Sequence, residues 1–271
     1  MSQHTEKSKG LTTREILKYK LEGFQEAEDF LAVEEPLQIE VNGRPLSITM
    51  RTPGDDTGLA AGFLYTEGLI KSFQDIASVH QRDEHTVNIM LEAGITIDPR
   101  LSERNFYTTS SCGVCGKSSV DAVRLQSAHD LAHHRFEVKT STLLSLQEEL
   151  IKVQENFGLT GGIHASALFR SDGSYLFHSE DVGRHNALDK LIGRSLMAGK
   201  IPLTDCILLL SGRASFELVQ KASMAGITCI AAVGAPSSLA VDLAMENGQT
   251  LVGFLKNHRF NIYSGHEYVL E

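Results

Sequence analysis

Two cysteines separated by two residues, Cys112 and Cys115, lie in a stretch that has neither helical nor strand periodicity. Small residues surround them, two of them glycines, and Lys117 follows closely. The thiolate is the nucleophilic form of cysteine, and only about 3% of an unperturbed thiol is ionised at pH 7. A nearby lysine raises that fraction. The pattern therefore indicates thiol chemistry on a mobile loop, which we place at residues 106–118.

A CxxC pair is typical of three kinds of site: a structural metal site, a dithiol redox site, or a site of covalent sulfur or acyl transfer. A closed zinc site needs four ligands, and the chain has no second CxxC pair. Cys206 and Cys229 lie in apolar runs and are expected to be buried core side chains. The sequence thus favours redox or sulfur transfer without a permanent metal. Cys112 is the predicted nucleophile, and Cys115 a resolving or assisting thiol.

Two other loops have features that favour an anion. Each follows an apolar strand and opens a helix, and the backbone amides at such a helix start attract negative charge. Ligands of α/β sheets bind beyond the carboxyl ends of parallel strands, although a serine at a helix start is often only a cap. We predict that a diphosphate-bearing ligand binds here. The residues are Ser211, Gly212, Arg213, Ser237 and Ser238, with further charge from Lys256, His258 and Arg259.

A third polar cluster, Glu180–Asn186, precedes another helical pattern. A lone histidine is usually structural, but clusters of charged residues often mark sites. Arg184 and His185 are therefore further candidates for contacting an anionic ligand.

The surrounding pattern predicts the elements that position these residues. Alternating apolar residues on both sides of Asn42–Gly43 predict a hairpin, and a helix and a strand follow within a small α+β unit at residues 30–105. Residues 1–29 are polar and are interpreted as a flexible arm with a helical segment around Arg14–Phe24. Residues 119–271 read as an α/β domain. It contains one helix between Thr142 and Gly158, then apolar strands that alternate with helices and predict a parallel sheet covered on both faces.

Composition limits the partners. The chain has 271 residues and a formal net charge of -9, which disfavours general nucleic-acid binding. No apolar run approaches the roughly 20 residues that span a bilayer, and the first residues lack the apolar core of a signal peptide. We therefore expect a cytoplasmic protein without a membrane or nucleic-acid partner.

Several motifs in a fixed order resemble those of the FdhD family, the sulfurtransferases that mature formate dehydrogenases. The resemblance spans roughly residues 30–264. It rests on Glu35–Leu37, Thr52–Asp56, Ser110–Lys117, Thr160–Ala165, Glu180–Asn186, Ser211–Glu217, Ala235–Ala240 and Gly253–Ser264.

The resemblance implies a definite function. Such proteins accept sulfane sulfur from a cysteine desulfurase and pass it to the bis-molybdopterin guanine dinucleotide cofactor, with Mo or W as its metal, of a formate dehydrogenase catalytic subunit. The persulfide would form on Cys112. The resemblance also implies a cytidine-deaminase-like layered α/β core and a homodimer. Cofactor contact would lie at Phe254, Leu255, Lys256, Asn257, His258 and Arg259.

Three rival functions remain open at this point. A zinc deaminase needs H-x-E followed by P-C-x-x-C. Here Ser166 replaces the glutamate after His164, and the CxxC pair precedes that histidine. A cofactor-binding chaperone would need no sulfur chemistry, and a disulfide oxidoreductase would use the same two cysteines for redox.

Overall fold

The computed structural model describes residues 10–97, the backbone of residues 106 and 107, residue 125, and residues 127–134 and 136–271. Within these ranges the chain is a mixed α/β protein with two main sheets, so the predicted α/β class is confirmed. Cys112, Cys115 and Lys117 lie outside the described residues. None of the described helices is long and apolar enough to cross a membrane.

The amino-terminal segment forms a hairpin. Strands β1 (Leu11–Lys20) and β2 (Gly23–Ala32) pair antiparallel, and the rings of Tyr19 and Phe24 face each other across the strands with centroids 5.3 Å apart. The expected helix around Arg14–Phe24 does not form. Cross-strand pairs of this kind stabilise a ribbon even where charged residues hide its alternating pattern.

The first main sheet has the strand order β5-β6-β3-β4-β7. The predicted hairpin at Asn42–Gly43 is confirmed, and both turn residues have positive φ, 51° and 75°. Strand β7 runs parallel to β4 and places Tyr107 beside Ile48. The strands are β3 (Glu35–Val41), β4 (Arg44–Arg51), β5 (Ile76–Asp83), β6 (Thr86–Leu91) and β7 (Phe106–Tyr107).

The second main sheet has the order β10-β9-β11-β12-β13-β14. Its three central strands β11, β12 and β13 are parallel, as predicted, whereas the other three are antiparallel to their neighbours. The strand that we expected to be last, β13, turns back into β14. The strands are β9 (His164–Arg170), β10 (Tyr175–Asp181), β11 (Cys206–Leu210), β12 (Cys229–Ala232), β13 (Thr250–Lys256) and β14 (Arg259–Ser264). Two short strands, β8 (Val138–Lys139) and β15 (Val269–Leu270), pair with each other.

Helices cover both faces of this second sheet. Apolar residues of α2 pack on one face, and α4, α5 and α6 pack on the other. The single helix predicted between Thr142 and Gly158 is divided at Gln154, whose ψ of 81° ends one helix and starts the next. The helices are α1 (Asp56–Thr66), α2 (Thr140–Val153), α3 (Glu155–Thr160), α4 (Arg184–Met197), α5 (Phe216–Met224) and α6 (Ser238–Glu246).

One large apolar cluster joins residues of both sheets, and α1 and α4 cross at its centre. Their backbones touch there, because a Cβ atom on Gly62 would overlap the carbonyl oxygen of Asp189, and one on Gly193 would overlap that of Gly58. Only glycine permits this approach. The small unit and the larger α/β unit therefore share one core, and α1 fixes the position of α4.

Candidate functional site

Four strand ends meet at one edge of the six-stranded sheet. The parallel strands β11, β12 and β13 end there, and so does β10, whose last residue Asp181 pairs with His164 at the start of β9. Most predicted site residues outside the cysteine loop follow these strand ends, and Phe254, Leu255 and Lys256 are the last three residues of β13. The structure therefore brings together residues that the sequence separates by up to 75 positions, from Arg184 to Arg259.

Backbone hydrogen bonds hold the loops after β11 and β12 and the end of β13 in register. The amide of Gly234 donates to the Gly212 carbonyl at 2.9 Å, and the amide of Phe254 donates to the Gly234 carbonyl at 3.0 Å. Ala214 and Pro236 form an isolated parallel bridge beyond them. The two loops thus continue the sheet past β11 and β12, beside the last residues of β13, and we call this arrangement the loop shelf (residues 211–214, 234–237 and 254).

The serines of the loop shelf and the adjoining Ser238 differ in what their side chains do. The Ser211 hydroxyl accepts a 2.8 Å hydrogen bond from the amide of Ala165, so it joins β11 to β9. The Ser237 hydroxyl accepts from the amide of Ala240 at 3.3 Å and caps α6. Ser238 is exposed at the first position of that helix. Among the described residues, the Ser238 hydroxyl accepts no hydrogen bond from a backbone amide, unlike those of Ser211 and Ser237.

The end of β13 presents an unusual backbone. Phe254 has a φ of 52°, and 42% of the residue is exposed. This left-handed conformation is rare outside glycine and asparagine. Leu255 is fully buried in the apolar cluster beneath α2, so only its backbone could reach a ligand. Lys256 is partly buried, and Asn257, His258 and Arg259 are exposed in the turn to β14.

Asp181 has a structural part in the Glu180–Asn186 cluster. Its buried carboxylate accepts hydrogen bonds from the amides of Thr52 and Gly183, and it lies 2.7 Å from Nζ of Lys190. Desolvation raises the pKa of Asp181, and the Lys190 ammonium opposes that rise. Asn186 adds a bond to the Met50 carbonyl. These contacts fasten the small unit to the edge rather than serving a ligand.

Arg184 and His185 begin α4 at the same edge. The Nε2 atom of His185 lies 2.8 Å from Oε2 of Glu217 and 3.4 Å from the Ser215 hydroxyl. The second oxygen of Glu217 is buried and has no hydrogen-bond partner among the described residues. This pair joins the starts of α4 and α5, and it orients the imidazole at the edge.

Two residues of this edge were missed as site residues at the level of the sequence, Glu217 and His164. Glu217 is the last residue of the motif Ser211–Glu217, and His164 is the fifth residue of the motif Thr160–Ala165. His164 is partly buried, and its Nδ1 would lie 3.3 Å from a Cβ atom on Gly212. Desolvation lowers the pKa of His164, Arg184 and His185 lower it further, and Asp181 opposes them. Its neutral form is therefore favoured.

Of the two cysteines expected to be buried in the core, Cys229 is buried there, whereas Cys206 packs against the core and is only partly buried. Cys229 is fully buried, and burial raises its thiol pKa to about 12. Cys206 is partly exposed, and burial likewise raises its pKa. Among the described residues, no group of three or more His, Cys, Asp or Glu side chains is placed to hold a metal ion.

The fold and this edge define a mixed α/β protein in which four strand ends and the starts of three helices meet at one edge of the larger sheet. Residues 32–270 match the model of the FdhD/NarQ family, and the chain belongs to that family. It is 50% identical over 247 residues to the sulfur carrier protein FdhD of Streptomyces coelicolor, with 88% of each chain covered. It is 44% identical over 246 residues to that of Picrophilus torridus, with 89% of this chain and 92% of the relative covered.

A solved structure supports the fold. A crystal structure described as that of a formate dehydrogenase accessory protein from Desulfotalea psychrophila superposes with a TM-score of 0.77 at 23% identity. The match covers 96% of this chain and all of the other. The whole arrangement of sheets and helices is therefore shared.

Proposed function

We propose that this protein is a sulfur carrier that takes sulfane sulfur from a cysteine desulfurase onto Cys112. It passes the sulfur to bis-molybdopterin guanine dinucleotide, the Mo- or W-bearing substrate, for a formate dehydrogenase catalytic subunit. The relatives that it matches at about 50% identity are named sulfur carriers. The observation that supports the proposal is the edge itself, where the strand ends and helix starts that carry the predicted ligand residues outside the cysteine loop meet.

The charge and backbone of this edge suit a diphosphate. The starts of α4, α5 and α6 lie there, and each presents unsatisfied amides and a partial positive charge. Arg184, Arg213 and Arg259 add fixed charges. The exposed ring of Phe254 supplies a flat apolar surface beside them, on which a base can stack. Although the net charge of the chain is negative, these groups make the edge locally favourable to anions.

The chain approaches the cysteine loop close to this edge. Strand β7 ends at Tyr107 beside Ile48, and the next residue of β4, Thr49, donates a 3.2 Å hydrogen bond to Asn186 at the start of α4. Cys112 is the fifth residue after Tyr107, and the fully extended span between the two is about 17 Å. The sequence distance therefore permits a Cys112 persulfide to meet a ligand bound at the edge.

The first transfer is a thiol exchange. The Cys112 thiolate attacks the outer sulfur of the desulfurase persulfide, the S–S bond of the donor breaks, and the desulfurase leaves as a thiolate. Releasing that sulfur as sulfide requires two electrons. Cys115 can supply them when its thiolate attacks the Cys112 sulfur, forms a disulfide and expels hydrosulfide. Lys117 stabilises the thiolate form.

The test of sulfur loading uses the intact chain, a cysteine desulfurase and cysteine, followed by peptide mass spectrometry. We expect one added sulfur, about 32 Da, on the Cys112 peptide in the wild-type protein and in Cys206→Ala, the matched control. Cys112→Ala should carry none and should fail to activate apo-formate dehydrogenase. Cys115→Ala should load sulfur but activate the enzyme poorly.

A separate measurement addresses the ligand. GDP carries the base and diphosphate of the nucleotide half of the cofactor, and we expect Cys112→Ala to bind it as tightly as the wild-type protein. Normal activation of formate dehydrogenase by Cys112→Ala would disprove the sulfur carrier and favour a binding chaperone. Consistent with family resemblance, we also propose a cytoplasmic homodimer, which light scattering can test.

A further inference from the structure

His164 lies at the same edge but belongs to a strand, β9, and not to the loops after β11 and β12. It begins β9, pairs with Asp181 of β10, and packs its ring against the Gly212 backbone of the loop shelf. A Cβ atom on Gly212 would lie 3.3 Å from its Nδ1 and 3.4 Å from its Cε1. A side chain at position 212 would press on the imidazole, so the glycine keeps space for the ring.

The charged groups that act on this ring come from two elements. Arg184 and His185 approach from the start of α4, and Asp181 approaches from the end of β10. The ammonium of Lys190 lies 2.7 Å from the Asp181 carboxylate and offsets its charge, and the Glu217 carboxylate contacts Nε2 of His185. The loop after β11 faces His164 with uncharged glycine backbone. Within the described chain, no hydrogen bond reaches the His164 ring, although it is partly buried.

We propose that His164 contacts the phosphate of the bound ligand and takes up a proton when that ligand arrives. The inference rests on the proposed function, because it concerns the same diphosphate. It assigns His164 as a binding residue and adds a proton to the binding reaction.

The direction of the effect follows from the charges. In the free protein, burial and the nearby Arg184 and His185 hold the pKa of His164 below its ordinary value, so the neutral ring is favoured near pH 7. A phosphate beside the ring stabilises the imidazolium and raises its pKa in the complex. Between these two pKa values, binding takes up a proton, and the affinity rises as the pH falls. Below the pKa of the free protein, the affinity no longer gains from this group.

Calorimetry of GDP binding to the full chain at pH 7.5, in buffers of different protonation enthalpy, measures this proton directly. We expect net uptake of up to about one proton in the wild-type protein, and its loss in His164→Gln. The affinity of that variant should fall roughly tenfold, the factor that a hydrogen bond to a charged group commonly supplies. Protonation of the nucleotide itself is common to both proteins and cancels in the comparison.

His178→Gln is the matched control. Burial also lowers the pKa of His178, but its Nδ1 lies 2.7 Å from the Tyr175 hydroxyl, three residues inside β10. This variant should bind GDP with the proton uptake of the wild-type protein. Histidine ring signals of the wild-type protein, followed by NMR across pH with and without GDP, give the same pKa change without a substitution.

The outcomes are distinct. Tight GDP binding with equal proton uptake in wild-type and His164→Gln proteins, or an unchanged His164 titration by NMR, overturns this inference and leaves the sulfur carrier intact. No GDP binding by the wild-type protein overturns both the inference and the assignment of the edge to the cofactor. Sulfur loading on Cys112 remains a separate result.

Discussion

The contact between α1 and α4 permits a sharp test of how the site is held, by the substitution Gly193→Ala. The new Cβ atom would overlap the Gly58 carbonyl oxygen and lie 2.7 Å from the Gly62 nitrogen. Both neighbours are helix backbone and cannot rotate away. The helices must therefore separate, and α4 carries Arg184 and His185 at its first two positions.

The expected loss of stability follows from two opposing effects. Overpacking of a core contact costs about 1–3 kcal/mol, and the rigid backbone on both sides favours the upper end. Alanine is about 1 kcal/mol better than glycine inside a helix. The net loss is about 2 kcal/mol, which corresponds to a fall of roughly 5 °C in the melting temperature for a chain of this size.

The measurement is denaturant unfolding, with Gly158→Ala as the matched control. Gly158 lies in α3, and a Cβ atom there would meet no atom within 4 Å. That variant should be as stable as the wild-type protein or up to about 1 kcal/mol more stable. Gly193→Ala should also bind GDP more weakly, since α4 shifts. Wild-type stability and GDP affinity in Gly193→Ala would refute the close helix contact.

Three further predictions concern buried groups. Lys221→Met leaves the Asp189 carboxylate, 2.9 Å from the ammonium in the native protein, as a buried unpaired charge. Denaturant unfolding should show that the free energy of unfolding falls by about 3–5 kcal/mol, whereas the exposed Lys152→Met should change it little. Equal stability of the two variants would contradict the buried ion pair of Lys221 and Asp189. Cys229 should resist iodoacetamide at pH 8 until the protein unfolds, because burial raises its thiol pKa to about 12; rapid native labelling, read by mass spectrometry, would contradict that burial. Burial likewise raises the pKa of Tyr65 from 10.0 to about 12, so the stability that this group contributes is complete below pH 10 and is lost as the pH rises towards 12. The free energy of unfolding of Tyr65→Phe should therefore decline less steeply over that range than that of the wild-type protein. Equal declines in the two proteins would contradict the raised pKa of Tyr65.

The sequence alone predicts the turns and helix starts that depend only on a few neighbouring residues. The Asn42–Gly43 hairpin depends on two residues that accept positive φ, and both adopt it. The starts of α5 and α6 follow directly from a strand, a short polar loop and a serine at the cap position. Because parallel strands end at one edge, the sequence could also predict that the loops after β11 and β12 would lie together.

Features that depend on distant partners could not be predicted in the same way. Residues 1–29 are polar and rich in charge, which predicts a flexible arm, yet residues 11–32 form the hairpin of β1 and β2. The break at Gln154 depends on Glu180, which accepts a 3.2 Å hydrogen bond from the amide of Phe157 and fixes the start of α3. His164 lies beside the loop shelf only because β9 runs antiparallel beside β11, which brings its ring to Gly212.

The positions of the residues at the edge depend on contacts within the core that lie away from the edge itself. Asp181 sits fully buried at the end of β10, bound to Lys190 of α4 and to the amide of Thr52 from the small unit. The same helix α4 meets α1 through glycine backbone. A change in the contact between the units therefore moves Arg184 and His185 relative to the loop shelf, although no ligand-facing residue is altered. Since hydrogen bonds to phosphate weaken steeply with small displacements, we expect stability and ligand affinity to fall together in variants of this interface, and affinity alone to fall in variants of His164.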